Sequence, residues 1–163
     1  MALFNGTYVQ NFDAKGRVSV PASFRIPLRA GAVSIAASSD GPISIPLVLR
    51  PSEKARCIEA LTEEKHQALL AELEKLDPLG DEYDTLATVL FADAWPIETD
   101  KEGRIIVHDT LLSHAGISRA GSVAFVGMGT RFQLWHPDAV QGHKASAQAA
   151  WRARMARQRE AAE

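Results

Sequence analysis

Asp13-Ala14-Lys15-Gly16-Arg17 is written twice in this chain, the second time as Asp100-Lys101-Glu102-Gly103-Arg104. Both copies read D-x-x-G-R and both run into a β-branched stretch, Val18-Ser19-Val20 and Ile105-Ile106-Val107. A further echo, Arg29-Ala30-Gly31 and Arg119-Ala120-Gly121, keeps the same order. Two ordered matches, each with a strand after it, predict a duplicated β unit. In such a turn an aspartate can bond its own downstream amides and a glycine accepts positive φ, so Asp13, Gly16, Asp100 and Gly103 are read as turn-shaping residues.

Around these turns the chain alternates short apolar runs. Gly6–Phe12 reads as a strand, Arg17 opens a return strand in which Val18 and Val20 share a face, and Pro21 ends it. A short helix over Ala22–Ile26 stops before Pro27. A third strand is expected over Ala32–Ala36, a turn over Ser39–Pro42, and a fourth strand over Ile43–Leu49, broken by Pro46. Pro51-Ser52 carries a helix-start signal, followed by Ile58, Leu61, Leu69, Leu73 and Leu76 at near-helical spacing. Asp77-Pro78 breaks this helix, and a second is expected over Asp81–Phe91. Then the plan repeats: a lead-in at Ala94–Glu98, the second turn, a short helix over Thr110–Gly116 and strands over Ser122–Val126 and Arg131–Trp135. The expected fold is mainly β with α (α+β). Its divisions are a first β unit over 7–53, a helical spacer over 54–92, a second β unit over 94–137 and a basic Ala/Arg-rich tail over 138–163. The tail is either a terminal helix or partly disordered.

The chain has 163 residues and 46% hydrophobic content, an ordinary globular composition. No apolar run approaches the roughly 20 residues of a membrane span, and the N-terminus lacks the pattern of a signal peptide. A cytoplasmic location with no membrane partner is expected. Net charge is −2, yet residues 1–50 carry +3, 51–100 carry −9 and 101–163 carry +4. Both turns therefore lie in or beside basic segments, which permits a nucleic-acid face; a solvated acidic helix pair between more basic units is the plainer alternative.

Phe4-x-Gly6, the D-x-K-G-R turn and Val18-Ser19-Val20-Pro21-Ala22-Ser23-Phe24-Arg25 resemble the first repeat of the MraZ transcriptional regulators. Asp100-x-x-Gly103-Arg104-Ile105-Ile106-Val107, Ala115-Gly116-Ile117 and Phe132-x-Leu134-Trp135 resemble the second. The resemblance covers roughly residues 3–140. It implies two pseudo-symmetric SpoVT-AbrB-type swapped-hairpin units per chain and assembly of chains into ring-like homo-oligomers. It also implies sequence-specific binding of double-stranded DNA carrying G-rich direct repeats, upstream of the division and cell-wall gene cluster, in the nucleoid. Three positions depart from the family pattern: Arg50 in place of an aromatic, His108 in place of proline, and Leu112 where arginine is frequent. The last two imply weaker DNA contact and a more architectural role for the second copy.

The DNA-contact candidates are Lys15 and Arg17 in the first turn and Lys101 and Arg104 in the second. Arginine forks onto phosphate or onto guanine O6 and N7, while lysine supplies a flexible point charge. Glu102 offsets one charge of the second turn. Arg25 is placed on DNA from the short helix, with a subunit interface as its alternative. On the residues alone, plain hairpin chemistry with Arg17 paired to Asp13 stands beside DNA contact. So does an oligomeric scaffold whose basic loops bind an acidic protein. An enzyme is not expected. The five histidines form no H-E-x-x-H, there is no G-x-S-x-G, and His108-Asp109 with Ser113 does not suggest a triad. Neither a cofactor nor a metal is expected, and the single cysteine, Cys57, is read as a packing residue.

Overall fold

A computed structural model describes residues 3–35 and 43–163. Among the described residues eight strands and five α-helices follow one another in an α+β arrangement. The first unit contributes β1 (Thr7–Asn11), β2 (Val18–Ser19), α1 (Ala22–Ala30), β3 (Pro46–Pro51) and β4 (Ile58–Thr62). The acidic middle contributes α2 (Glu63–Glu74) and α3 (Asp81–Ala87), the latter running into a π-helical turn at Thr88–Ala92. The second unit contributes β5 (Trp95–Glu98), β6 (Arg104–Ile105), α4 (Asp109–Ala115), β7 (Ser122–Gly127) and β8 (Phe132–Trp135), and α5 (Pro137–Ala162) ends the chain.

The strands pair across the duplication. One sheet runs β1-β7-β8-β4-β3-β5, and a separate antiparallel ribbon joins β2 to β6. Read from either end, the sheet order has the same meaning: a leading strand of one copy, then the strand pair that follows the other copy's turn. Strands of the first unit thus pair with strands of the second, β1 with β7, β3 with β5 and β4 with β8. The sequence reading had β2 return along its own β1. Instead β1 pairs with β7, and Val18 lies opposite Ile105. The reason is burial. Two-residue strands make few ladder bonds, but laid side by side they put Val18, Val20, Ile105 and Val107 into one core, each at most 1% exposed. Phe24 sits fully buried beneath them, edge-on to Phe4 at 5.5 Å and tilted against Phe132 at 5.1 Å. Such aromatic pairs each contribute about 0.5–1.5 kcal/mol beyond the area they bury.

Several element readings change. The helix expected from Pro51-Ser52 begins at Glu63, and Ile58–Thr62 is strand β4, buried at every position between β3 and β8. Ile58 and Leu61 have helical spacing, but a strand covered on both faces has no alternating pattern to betray it. The real helix start is Thr62, whose Oγ1 accepts from Lys65 N at 3.1 Å, with Glu63 and Glu64 in the first turn. Ser52 instead shapes a tight loop, its Oγ accepting from Lys54 N at 3.2 Å. Helix α1 continues through Pro27 to Ala30, because the buried faces of Phe24, Pro27 and Leu28 hold it to the core. Residues 32–35 bend rather than extend; Ala36 and the turn at 39–42 lie outside the described residues. The tail is helical, with Val140 its only buried residue. Among the described residues no helix is long and apolar enough to cross a membrane.

Candidate nucleic-acid interface

The β2–β6 ribbon has two faces. Valines and isoleucine line the inner one. Alternation and register put Arg17, Ser19, Arg104 and Ile106 on the outer one, where Ser19 is exposed and Ile106 is 60% exposed. Ser19 stands opposite Arg104, so Arg17 falls opposite Ile106. Strand geometry then separates the two arginine Cα atoms by about 7 Å along the ribbon and about 5 Å across it. The D-x-x-G-R turns flank this face at opposite corners, carrying the exposed Lys15 and Lys101.

Each turn is clamped by its aspartate in the same way. Asp13 Oδ1 accepts from Lys15 N at 2.9 Å and Arg17 N at 2.8 Å, while Oδ2 accepts from Arg17 Nε at 2.8 Å. Asp100 Oδ1 accepts from Glu102 N and Arg104 N, and Oδ2 from Arg104 Nε at 2.7 Å. The Arg17 amide, helped by its guanidinium, holds the Asp13 carboxyl below its ordinary value; the Arg104 amide does the same for Asp100. Gly16 and Gly103 close the turns at φ 76° and 82°, where a side chain would be strained.

The two copies differ in what remains of each arginine. Arg17 spends Nε on Asp13, and its terminal amino groups make no hydrogen bond among the described residues. Arg104 spends Nε on Asp100 and Nη2 on Glu102 Oε2 at 2.6 Å. Its pKa is raised, first by the hydrogen bond to Asp100 and then by the charges of Asp100, Glu102 and Asp13. The outer face is therefore electropositive at the Arg17 corner and largely neutralised at the Arg104 corner.

Each turn is also held from the opposite unit. Arg25 Nη1, on α1, donates to Glu102 O at 3.0 Å and lies over Gly103, where an added Cβ would stand 2.2 Å from Nη1. Arg119, on the loop after α4, donates from Nη1 to Gly16 O at 3.1 Å and from Nη2 to Val107 O. Its position is fixed by Asp109, 2.8 Å away, whose carboxyl is held low by that contact. Arg25 and Lys101 share a 280 Å³ depression beside the second turn. The Arg119 role has no local sequence signal beyond the repeated Arg-Ala-Gly, because its acceptors are carbonyls of other segments.

The departures in the second copy have structural work. Leu112 is buried in the core. His108 caps α4 by accepting from Thr110 N at 3.1 Å, and its ring stacks on Trp95 at 3.9 Å. His108 is thus engaged in the α4 cap and Asp109 in the Arg119 contact. Among the described residues no group of three or more His, Cys, Asp or Glu is placed to hold a metal ion.

No family model matches the chain. Curated relatives do. A transcriptional regulator MraZ of Gluconacetobacter diazotrophicus is 45% identical over 147 residues, covering 90% of this chain and 87% of the relative. The one from Gluconobacter oxydans is 40% identical over 147 residues, with 90% and 84% covered. That of Rickettsia bellii is 36% identical over 149 residues, with 91% of each chain covered.

Proposed function

The chain belongs to the MraZ family of transcriptional regulators, and from that premise we propose that it reads DNA with the outer face of the β2–β6 ribbon. It is a DNA-binding regulator rather than an enzyme. A two-stranded ribbon fits a major groove about 12 Å wide, and the two arginine corners stand about two base-pair steps apart. The reading rests on one observation above all: Arg17 is oriented by Asp13 yet keeps its terminal amino groups unpaired at the outer face. A preoriented fork of this kind matches guanine O6 and N7.

In this reading Lys15 and Arg17 make the main contact. Arg104, already satisfied by Asp100 and Glu102, contributes less. Lys101 adds a phosphate contact, and Arg25 acts from the rim by holding the second turn in shape. The target is a set of G-rich direct repeats upstream of the division and cell-wall gene cluster. Few cations per chain give modest affinity. A ring-like homo-oligomer in the cytoplasm, on the nucleoid, presents the same ribbon to each repeat and gains by effective concentration.

The test is binding to a duplex from the chain's own upstream region, carrying tandem G-rich boxes, against a scrambled duplex of equal length. The repeat duplex is expected to bind at least tenfold tighter, and binding weakens with salt by about 0.9 in log–log slope per phosphate neutralised. Equal binding of the two duplexes would remove sequence-specific reading. Absence of DNA binding altogether, with capture of an acidic protein by the same loops, would favour the scaffold reading.

A further inference from the structure

The turn between α2 and α3 is an acidic knob with an apolar point. Leu79 at its apex is 95% exposed. Around it stand Asp77, Asp81, Glu82 and Asp84, and from Leu76 to Asp100 the chain has no lysine or arginine. Lys75, just before, is paired with Glu72. A large aliphatic side chain held wholly in water at a helix–helix turn, ringed by one sign of charge, lacks a partner within its own fold.

A socket of the opposite character lies at the other end of the same helical pair. It is a cavity of about 370 Å³ between the β3–β4 loop, the start of α2 and the π-helical turn. Leu61, Leu69 and Leu90 make it apolar inside, and Arg50, Lys54, Lys65 and Arg131 stand around it. Glu59 faces it as well, but both of its oxygens are used, by Arg131 Nε at 2.8 Å and by Gln133 Nε2 at 2.9 Å. Arg50, Lys54 and Lys65 have no carboxylate partner among the described residues, and Glu53 is the one further acid on the rim. Arg50 is also where this chain departs from the family's aromatic.

We propose that the Leu79 knob of one copy seats in this socket of the next copy, its acids meeting Arg50, Lys54 and Lys65. The knob does not fill its own socket: Leu79 is 95% exposed and is not among the residues that line the cavity. A contact that joins two different surfaces is heterologous, and heterologous contacts close into rings when the angle allows. The inference rests on the ring-like assembly proposed above and names the surfaces that build it. The DNA-reading ribbon lies in neither surface.

Charge reversal tests it, read by native mass or light scattering. One variant carries Asp81→Lys with Glu82→Lys; the other carries Lys54→Glu with Lys65→Glu. All four positions are exposed, and circular dichroism checks that each variant folds. Wild type is expected to assemble and each variant alone to run as a monomer. An equimolar mixture is expected to regain the wild-type mass, since each reversed knob then meets an oppositely charged socket. Variants that stay assembled alone, or a mixture that stays monomeric, overturn the contact while leaving the ring. A monomeric wild type removes the ring reading itself, and with it this contact.

Discussion

Glu102→Lys gives the second turn the charge of the first, because Glu102 occupies the position of Lys15. The glutamate side chain is 69% exposed, and among the described residues its one bond is to Arg104 Nη2 at 2.6 Å. Its backbone bonds, from N to Asp100 and from Arg25 to its carbonyl, survive the change. The substitution therefore leaves the turn intact, frees one side of the Arg104 guanidinium and replaces a negative charge at the DNA-facing corner by a positive one. If the corner then neutralises one further phosphate, the log–log salt slope steepens by about 0.9; if two, by about 1.8. Between about 50 and 200 mM salt this amounts to an extra ~3.5-fold or ~12-fold loss of affinity. Fluorescence anisotropy with a labelled repeat duplex, run as a salt series on both proteins, reads the slope directly. The variant is expected to bind tighter at low salt and to converge on wild type at high salt. Parallel salt lines would refute the reasoning, because they would place the Arg104 corner away from the phosphates.

The two turn glycines separate local strain from the cross-unit clamp. Gly16→Ala meets Arg119 only at 3.4 Å and is expected to cost about 1–2 kcal/mol for its left-handed φ. Gly103→Ala also evicts Arg25 and lowers Tm further, and an Arg25→Ala background is expected to abolish that difference. The arginine amides hold the carboxyls of Asp13 and Asp100 below their ordinary value, so their stabilisation is present above the ordinary aspartate range and lost as pH falls through the depressed values. An NMR titration of the Arg17 and Arg104 amides should show midpoints below that of an unstructured aspartate peptide; midpoints at or above the peptide's contradict the clamp. Cys57 is fully buried, and its thiol is pushed up to about 11 by that burial, with the Glu59 charge adding to it. The native protein at pH 8 is expected to resist a thiol reagent that labels it stoichiometrically in denaturant, and rapid native labelling would show that Cys57 is accessible.

What was legible in the sequence was local chemistry. Asp13 bonds amides two and four residues on, Gly16 accepts positive φ, and the whole turn is decided within five residues. The pairing of β2 with β6 was not, because Val18 finds Ile105 across most of the chain and a two-residue strand carries no record of its partner. Strand β4 was hidden for a different reason. Glu59, inside the sheet, reads as a solvent-facing helical residue until Gln133 of β8 and Arg131 just before it arrive to satisfy it. Arg119 escaped because it binds Gly16 O, 103 residues away, and a backbone carbonyl has no residue type to recognise. The inequality of the two copies was visible in Glu102, and its geometry, a carboxylate closing on the free side of Arg104, has the physical consequence expected of that charge.

The central claim is that Arg17, held by Asp13 on the outer face of the ribbon, reads the DNA. Footprinting of the chain's own upstream region with wild type and Arg17→Ala tests it most directly. The side chain is part-exposed and removes no core contact, so the variant should fold and assemble as wild type does. Wild type is expected to protect the tandem G-rich repeats, and Arg17→Ala at equal concentration is expected to leave them open. Equal protection of the repeats by a folded Arg17→Ala protein would place the reading face elsewhere on the molecule.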